Sequence, residues 1–108
     1  MRYVVLHLYK GENKEELMLA LAAHGVSDAV VVEGEALEQA LTTKLPLFAG
    51  FRAGLGGGGR VYAMVVLFAV AAPEEAISLL RTLRDYDVDF SDPTVGKAFL
   101  LPAEELGL

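Results

Sequence analysis

Two stretches of this chain, Arg2-Tyr3-Val4-Val5 and Arg60-Val61-Tyr62-Ala63, open alike, and each leads through an apolar run into a helix-like segment and a further apolar run. Between the halves lies a connection from Gly34 to Gly59, with Gly50, Gly54, Gly56, Gly57, Gly58 and Gly59 along it. A connection this long inside a compact domain is either functional or disordered. Function is favoured here, because the segment carries Leu47, Phe48, Phe51 and Leu55, which solvated linkers seldom contain. No Asp or Glu occurs from Gln39 to Pro73, so Lys44, Arg52 and Arg60 stand alone in a chain of net charge -6. Fixing glycine-rich backbone costs about 1–2 kcal/mol per residue. The free segment is therefore expected to be mobile until an effector or partner orders it.

The elements follow from local patterns. Arg2 to Tyr9 reads as a strand. Asn13 and Glu16 can form a capping box for a helix whose apolar face is Leu17, Ala20 and Leu21, and Gly25 suits its C-terminal stop. Val26 to Glu33 reads as the second strand. Glu35 to Thr42 is weakly helical and is ended by Pro46. Arg60 to Val70 is the third strand. Pro73, followed by Glu74 and Glu75, starts a second helix with Ala76, Ile77, Leu80 and Leu83 on its apolar face. A polar turn from Asp85 to Pro93 precedes a last strand, Lys97 to Leu101. Two strand-helix-strand halves with right-handed crossovers interlock in few ways. The predicted fold is α+β, ferredoxin-like βαββαβ: a four-stranded antiparallel sheet with two helices on one face, in a single domain spanning residues 1–108.

A sheet covered on one side only should alternate apolar with polar residues. The third strand does not, with Val61, Val65 and Leu67 on one side and Tyr62, Met64, Val66, Phe68 and Val70 on the other. A second apolar face needs a cover, and another copy of the chain is the expected one. The 54% hydrophobic content and mean hydropathy of +0.41 agree with that. An acidic balance argues against nucleic-acid binding, which relies on clustered Lys and Arg. Zero Cys excludes disulfides, thiolate zinc sites and thiol nucleophiles. The longest apolar run, Val61 to Ala72, is shorter than the roughly 20 residues of a membrane span. With no signal-peptide pattern at the N-terminus, no membrane insertion and a cytoplasmic location are the expectation.

Gly54 to Arg60 satisfies the spacing G-x-G-x-x-G, but it opens a strand where a nucleotide fingerprint must open a helix, so neither dinucleotide nor P-loop binding follows from it. His7 and His24 lack metal partners at ligand spacing and read as packing and helix-end residues. Ser27 with Asp28, and Ser91 with Asp92, read as turn chemistry. Glu33, Glu35 and Glu38 read as a solvated edge before an acid-base cluster. No catalytic constellation emerges, and the expectation is that the chain is not an enzyme. Thr94-Val95-Gly96-Lys97 reads either as a tight turn with a surface lysine, which the spacing alone favours, or as a site where glycine admits a ligand and lysine supplies a charge suited to phosphate.

Three stretches give the chain a family resemblance: residues 19–34, with His24-Gly25-Val26-Ser27-Asp28 between helix and strand; the central connection, in the place of a T-loop; and Val95-Gly96-Lys97 running through the last strand to Pro102-Ala103-Glu104. In these it resembles the PII signal-transduction family, and Pro46 to Arg52 looks like a divergent PII-like subgroup. The resemblance implies a homotrimer with effector sites at inter-subunit clefts, adenine nucleotide or another small anion as effector, and a loop that engages a target protein such as a transporter or enzyme. It carries Gly96 and Lys97 over as effector-contacting positions, with Arg52 and Arg60 as loop cations able to reach the same cleft. Lys44, Phe48, Phe51, Gly56, Gly57 and Gly58 become the partner-facing part of the loop. The loop has no tyrosine and the chain carries no basic residues after the last strand, which sets it apart from nitrogen-regulatory members. The alternatives are a CutA-like metal-binding or enzymatic trimer and a structural oligomer without ligand.

Overall fold

The computed structural model describes residues 1–35, 37, 41 and 62–107. Strand β1 is Arg2–Leu8, a 3-10 turn covers Gly11–Asn13, and helix α1 is Lys14–Ala23. Strand β2 is Val30–Glu35, β3 is Tyr62–Val70, helix α2 is Pro73–Asp85 and β4 is Gly96–Pro102. The sheet order is β2-β3-β1-β4, and every neighbouring pair is antiparallel. This is the ferredoxin-like arrangement expected from the two halves. In the predicted connection, Gly34 and Glu35 belong to β2, while Leu37 and Leu41 are helical within the predicted stretch Glu35 to Thr42. Lys44, Phe48, Phe51, Arg52, Gly56, Gly57, Gly58 and Arg60 lie outside the described residues.

One face of the sheet packs against the helices. Val4, Leu6 and Leu8 of β1 and Met64, Val66 and Phe68 of β3 are buried there, meeting Leu17, Ala20 and Leu21 of α1 and Ala76, Leu79 and Leu83 of α2. Each of the Val, Leu, Met and Phe side chains among them contributes about 1.5–3 kcal/mol when fully buried. The alternation along β1 and β3 is what divides the faces, since successive strand side chains point to opposite sides.

Several local expectations change. Asn13 takes the cap position of α1, yet its side chain makes no capping bond, and the 3-10 turn leads the chain in instead. The second strand begins at Val30, not Val26. Val26 N–H donates to the Leu21 carbonyl at 3.0 Å and Gly25 N–H to Ala22 at 3.1 Å. These two bonds form a Schellman motif, which holds residues 24–26 in the helix end. On α2, Ile77 is exposed and Leu79 takes the buried place, because Ala76, Leu79 and Leu83 share the inward stripe at three- and four-residue spacing. The α2 end repeats the same motif: Val88 N–H donates to Leu83 and Asp87 N–H to Arg84, with Asp87 at φ 63°.

Candidate functional site

The turn before β4 is built by two aspartates. Asp89 Oδ1 accepts the Ser91 amide at 2.9 Å and its hydroxyl at 2.6 Å. Asp92 Oδ1 accepts the Thr94 amide at 2.9 Å and its hydroxyl at 2.7 Å. The Ser91 hydroxyl and amide hold the Asp89 carboxyl below the usual carboxylate range, with Arg84 nearby adding to this. The Thr94 hydroxyl and amide do the same for Asp92. Tyr9 N–H then donates to the Val95 carbonyl at 2.9 Å, which locks the turn onto the end of β1.

Gly96 follows, and it is buried. A Cβ at this position would run into the His7 carbonyl and lie 2.9 Å from the Phe90 ring. The glycine thus lets β4 and the Phe90 side chain close on β1, a packing role independent of any ligand. Lys97, one residue on, is exposed and faces the other side of the sheet. Its partner across the ladder is His7, whose partner on the far side is Val65, itself opposite Val32. The His7 ring meets Phe99 edge-on at 5.5 Å and Tyr9 at 6.5 Å between centroids.

The rest of this outer face is apolar. The next row is Val30, Leu67, Val5 and Phe99, and beyond it come Ala69, Tyr3 and Leu101. Phe99 and Leu101 are 44% and 46% exposed and Val30 is 54% exposed, so no described element covers the face. Glu35 and Tyr62, between which the central connection runs, pair three residues along the strands from the Val32–Val65 row. The connection therefore leaves from and returns to the same end of the sheet as Lys97, about 10 Å along the strands and, at its two ends, about 14 and 10 Å across from it. Of the sequence-predicted site, Gly96 and Lys97 are adjacent there, whereas Arg52 and Arg60 lie outside the described residues. His7 was missed as a neighbour of Lys97, since only the β1–β4 register, spanning some ninety residues, brings the two together.

A cleft of about 330 Å³ lies at the opposite end of the sheet, over Phe68 and Leu79, with His24, Asp28 and Glu75 at its rim. Thr82 donates its one hydroxyl proton to the Ser78 carbonyl at 3.2 Å. His24 Nδ1 lies 3.3 Å from the same oxygen, a contact that ties the end of α1 to α2. Lys14 pairs with Glu33 across α1 and β2. Among the described residues no three His, Asp or Glu side chains converge on a metal position, and no described helix is long and apolar enough to cross a membrane.

No protein-family model matches the chain, and no curated protein matches it by sequence. Among solved structures it is similar to PII of Arabidopsis thaliana bound to citrate, with a TM-score of 0.58 and 16% identity over 94% of this chain and 76% of that one. At that identity the likeness is one of fold: the chain has the ferredoxin-like fold in the form PII takes.

Proposed function

We propose that the chain is a non-enzymatic, PII-like regulatory protein. Copies meet by the outer sheet face as a homotrimer. A small anion, an adenine nucleotide or a carboxylate such as citrate, binds at the inter-subunit cleft beside Lys97, and the central connection between Glu35 and Tyr62 reports its presence to a partner protein. The observation that carries this reading is an uncovered apolar sheet face with an exposed lysine at its margin, on the side from which the connection leaves. The likeness of fold to a citrate-bound PII supports the choice of a small anion. Arg52 and Arg60 are assigned to the same cleft because they are cations of the acid-free stretch of sequence, where positive charge is concentrated.

Calorimetric titration with citrate, ATP, ADP and phosphate tests the effector. A charge-assisted contact contributes about 1.5–3 kcal/mol, so Lys97→Ala should weaken the anion that binds by roughly one to two orders of magnitude. Equal affinities of wild type and variant remove Lys97 from the site. If none of the four ligands binds or raises the melting temperature, the structural-oligomer alternative replaces the sensor.

A further inference from the structure

We propose that the cleft between the end of α1 and the start of α2 binds a small organic ammonium ion with an apolar body. It lies at the end of the sheet away from Lys97 and holds about 330 Å³, at the lower end of the range of about 300–1,000 Å³ for small-molecule sites. Its floor is apolar, formed by the buried side chains of Phe68, Val70 and Leu79. The polar side chains that line it are those of His24, Asp28 and Glu75, and no described Lys or Arg joins them. Asp28 and Glu75 are exposed residues. An ammonium group at this rim therefore keeps part of its water while the apolar body enters the cleft.

The helix ends decide which sign of charge the cleft favours. His24, Gly25 and Val26 bring the C-terminal end of α1 to it, the negative end of that helix's dipole. Helix α2 presents its positive end, which alone would favour an anion. That end is already offset: Pro73 has no N–H, Glu75 N–H donates to the Ala72 carbonyl at 3.1 Å, and the carboxylates of Glu74 and Glu75 stand in the first turn. Glu75 gives Oε2 to the Ala71 amide at 3.2 Å, which holds the carboxylate at the helix start with Oε1 left to accept. Asp28 has no hydrogen-bond or salt-bridge partner among the described residues. An entering anion would meet two carboxylates, whereas an ammonium group meets two acceptors, in a chain of net charge -6. A bare metal ion fits less well, since no three described His, Asp or Glu side chains converge on one position, and an ion would leave the apolar floor unfilled.

The test is a titration of the nitrogen-15-labelled full chain, followed by its amide shifts, with three probes of one shape at neutral pH and equal ionic strength. These are 2-phenylethylamine as the cation, 2-phenylethanol as the neutral form and 3-phenylpropanoate as the anion. The amine should shift the amides of Gly25, Val26 and Val70 saturably and bind about tenfold more tightly than the alcohol, while the carboxylate leaves these amides still. Asp28→Asn and Glu75→Gln should each weaken the amine about threefold, as partly exposed ion pairs do. Gln at position 75 keeps an oxygen for the Ala71 amide, so the helix start is preserved. The double variant should bind amine and alcohol equally. Lys97→Ala should bind the amine as the wild type does, which separates this site from the anion site proposed above. Equal binding of amine and alcohol by the wild type, a double variant that keeps the preference, or the absence of saturable shifts at the cleft overturns the proposal. Nα-acetyl-lysine amide carries the same ammonium on a peptide arm, and tighter binding of it than of 2-phenylethylamine would overturn the small-amine assignment in favour of a protein side chain.

Discussion

Gly25 and Gly96 show how one residue type serves two physical ends. Gly25 sits at φ +87° with open space around its Cβ position; only backbone handedness requires it. Gly25→Ala should therefore cost about 1–2 kcal/mol, read from the midpoint of urea unfolding. Gly96 has no handedness requirement but abuts the His7 carbonyl and the Phe90 ring. Gly96→Ala should cost about 2–3 kcal/mol through overpacking, and a variant with wild-type stability would show that β4 can shift without loss. The first glycine was legible in the sequence because a helix stop is a local signal. The packing role of the second was not legible, since its spacing read as a tight turn into the last strand and its neighbours belong to β1 and the preceding turn. Asp87 is the converse case: it takes the left-handed place after α2, and a polar stretch full of aspartates gave no mark of which one would.

At the level of elements, the segment between α2 and β4 is held by carboxylates, and that makes it acid-sensitive. Asp89 and Asp92 both titrate below the ordinary carboxylate range because they accept hydrogen bonds from Ser91 and Thr94. Lowered folded-state values mean that their contribution is present above the unfolded value, about pH 3.9, and is lost as pH falls through the lowered ones. The amides of Ser91 and Thr94 should lose exchange protection in that window, with Asp89→Asn and Asp92→Asn reducing it at neutral pH. Protection that persists unchanged to pH 2 would contradict the assignment. The existence of this turn was legible from Ser, Asp and Pro clustering, though not which aspartate caps which residue. The start of β2 was misplaced for a related reason. Val26 and Ala29 read as apolar strand positions ahead of Val30 despite Ser27 and Asp28 between them, and the Schellman bonds together with the ladder show where the helix end stops and the strand begins.

For the whole molecule, the apolar pattern on both sides of β3 called for a cover on each face, and the structure identifies the face that the helices cover. Val66 is fully buried and points at the helices, whereas Leu67 lies on the outer face with Val5 and Val30. Sequence alternation alone could not say which side was which, because either parity offers a continuous apolar stripe. It also could not supply the number of copies, which depends on how edges and faces fit between molecules. A pair of substitutions separates folding from assembly. Val66→Asp buries a charge in the core and should cost about 4 kcal/mol or more, most of the stability of a domain at the lower end of the usual range of about 5–15 kcal/mol, so the variant should unfold at markedly lower urea. Leu67→Asp puts the same charge on the outer face and should leave the circular dichroism of a folded chain. Light scattering should then give the 11.6 kDa of one chain, against three times that mass for the wild type. A Leu67→Asp protein that keeps the wild-type mass would mean that the copies meet elsewhere. The apolar rows of the outer face would then require a different cover.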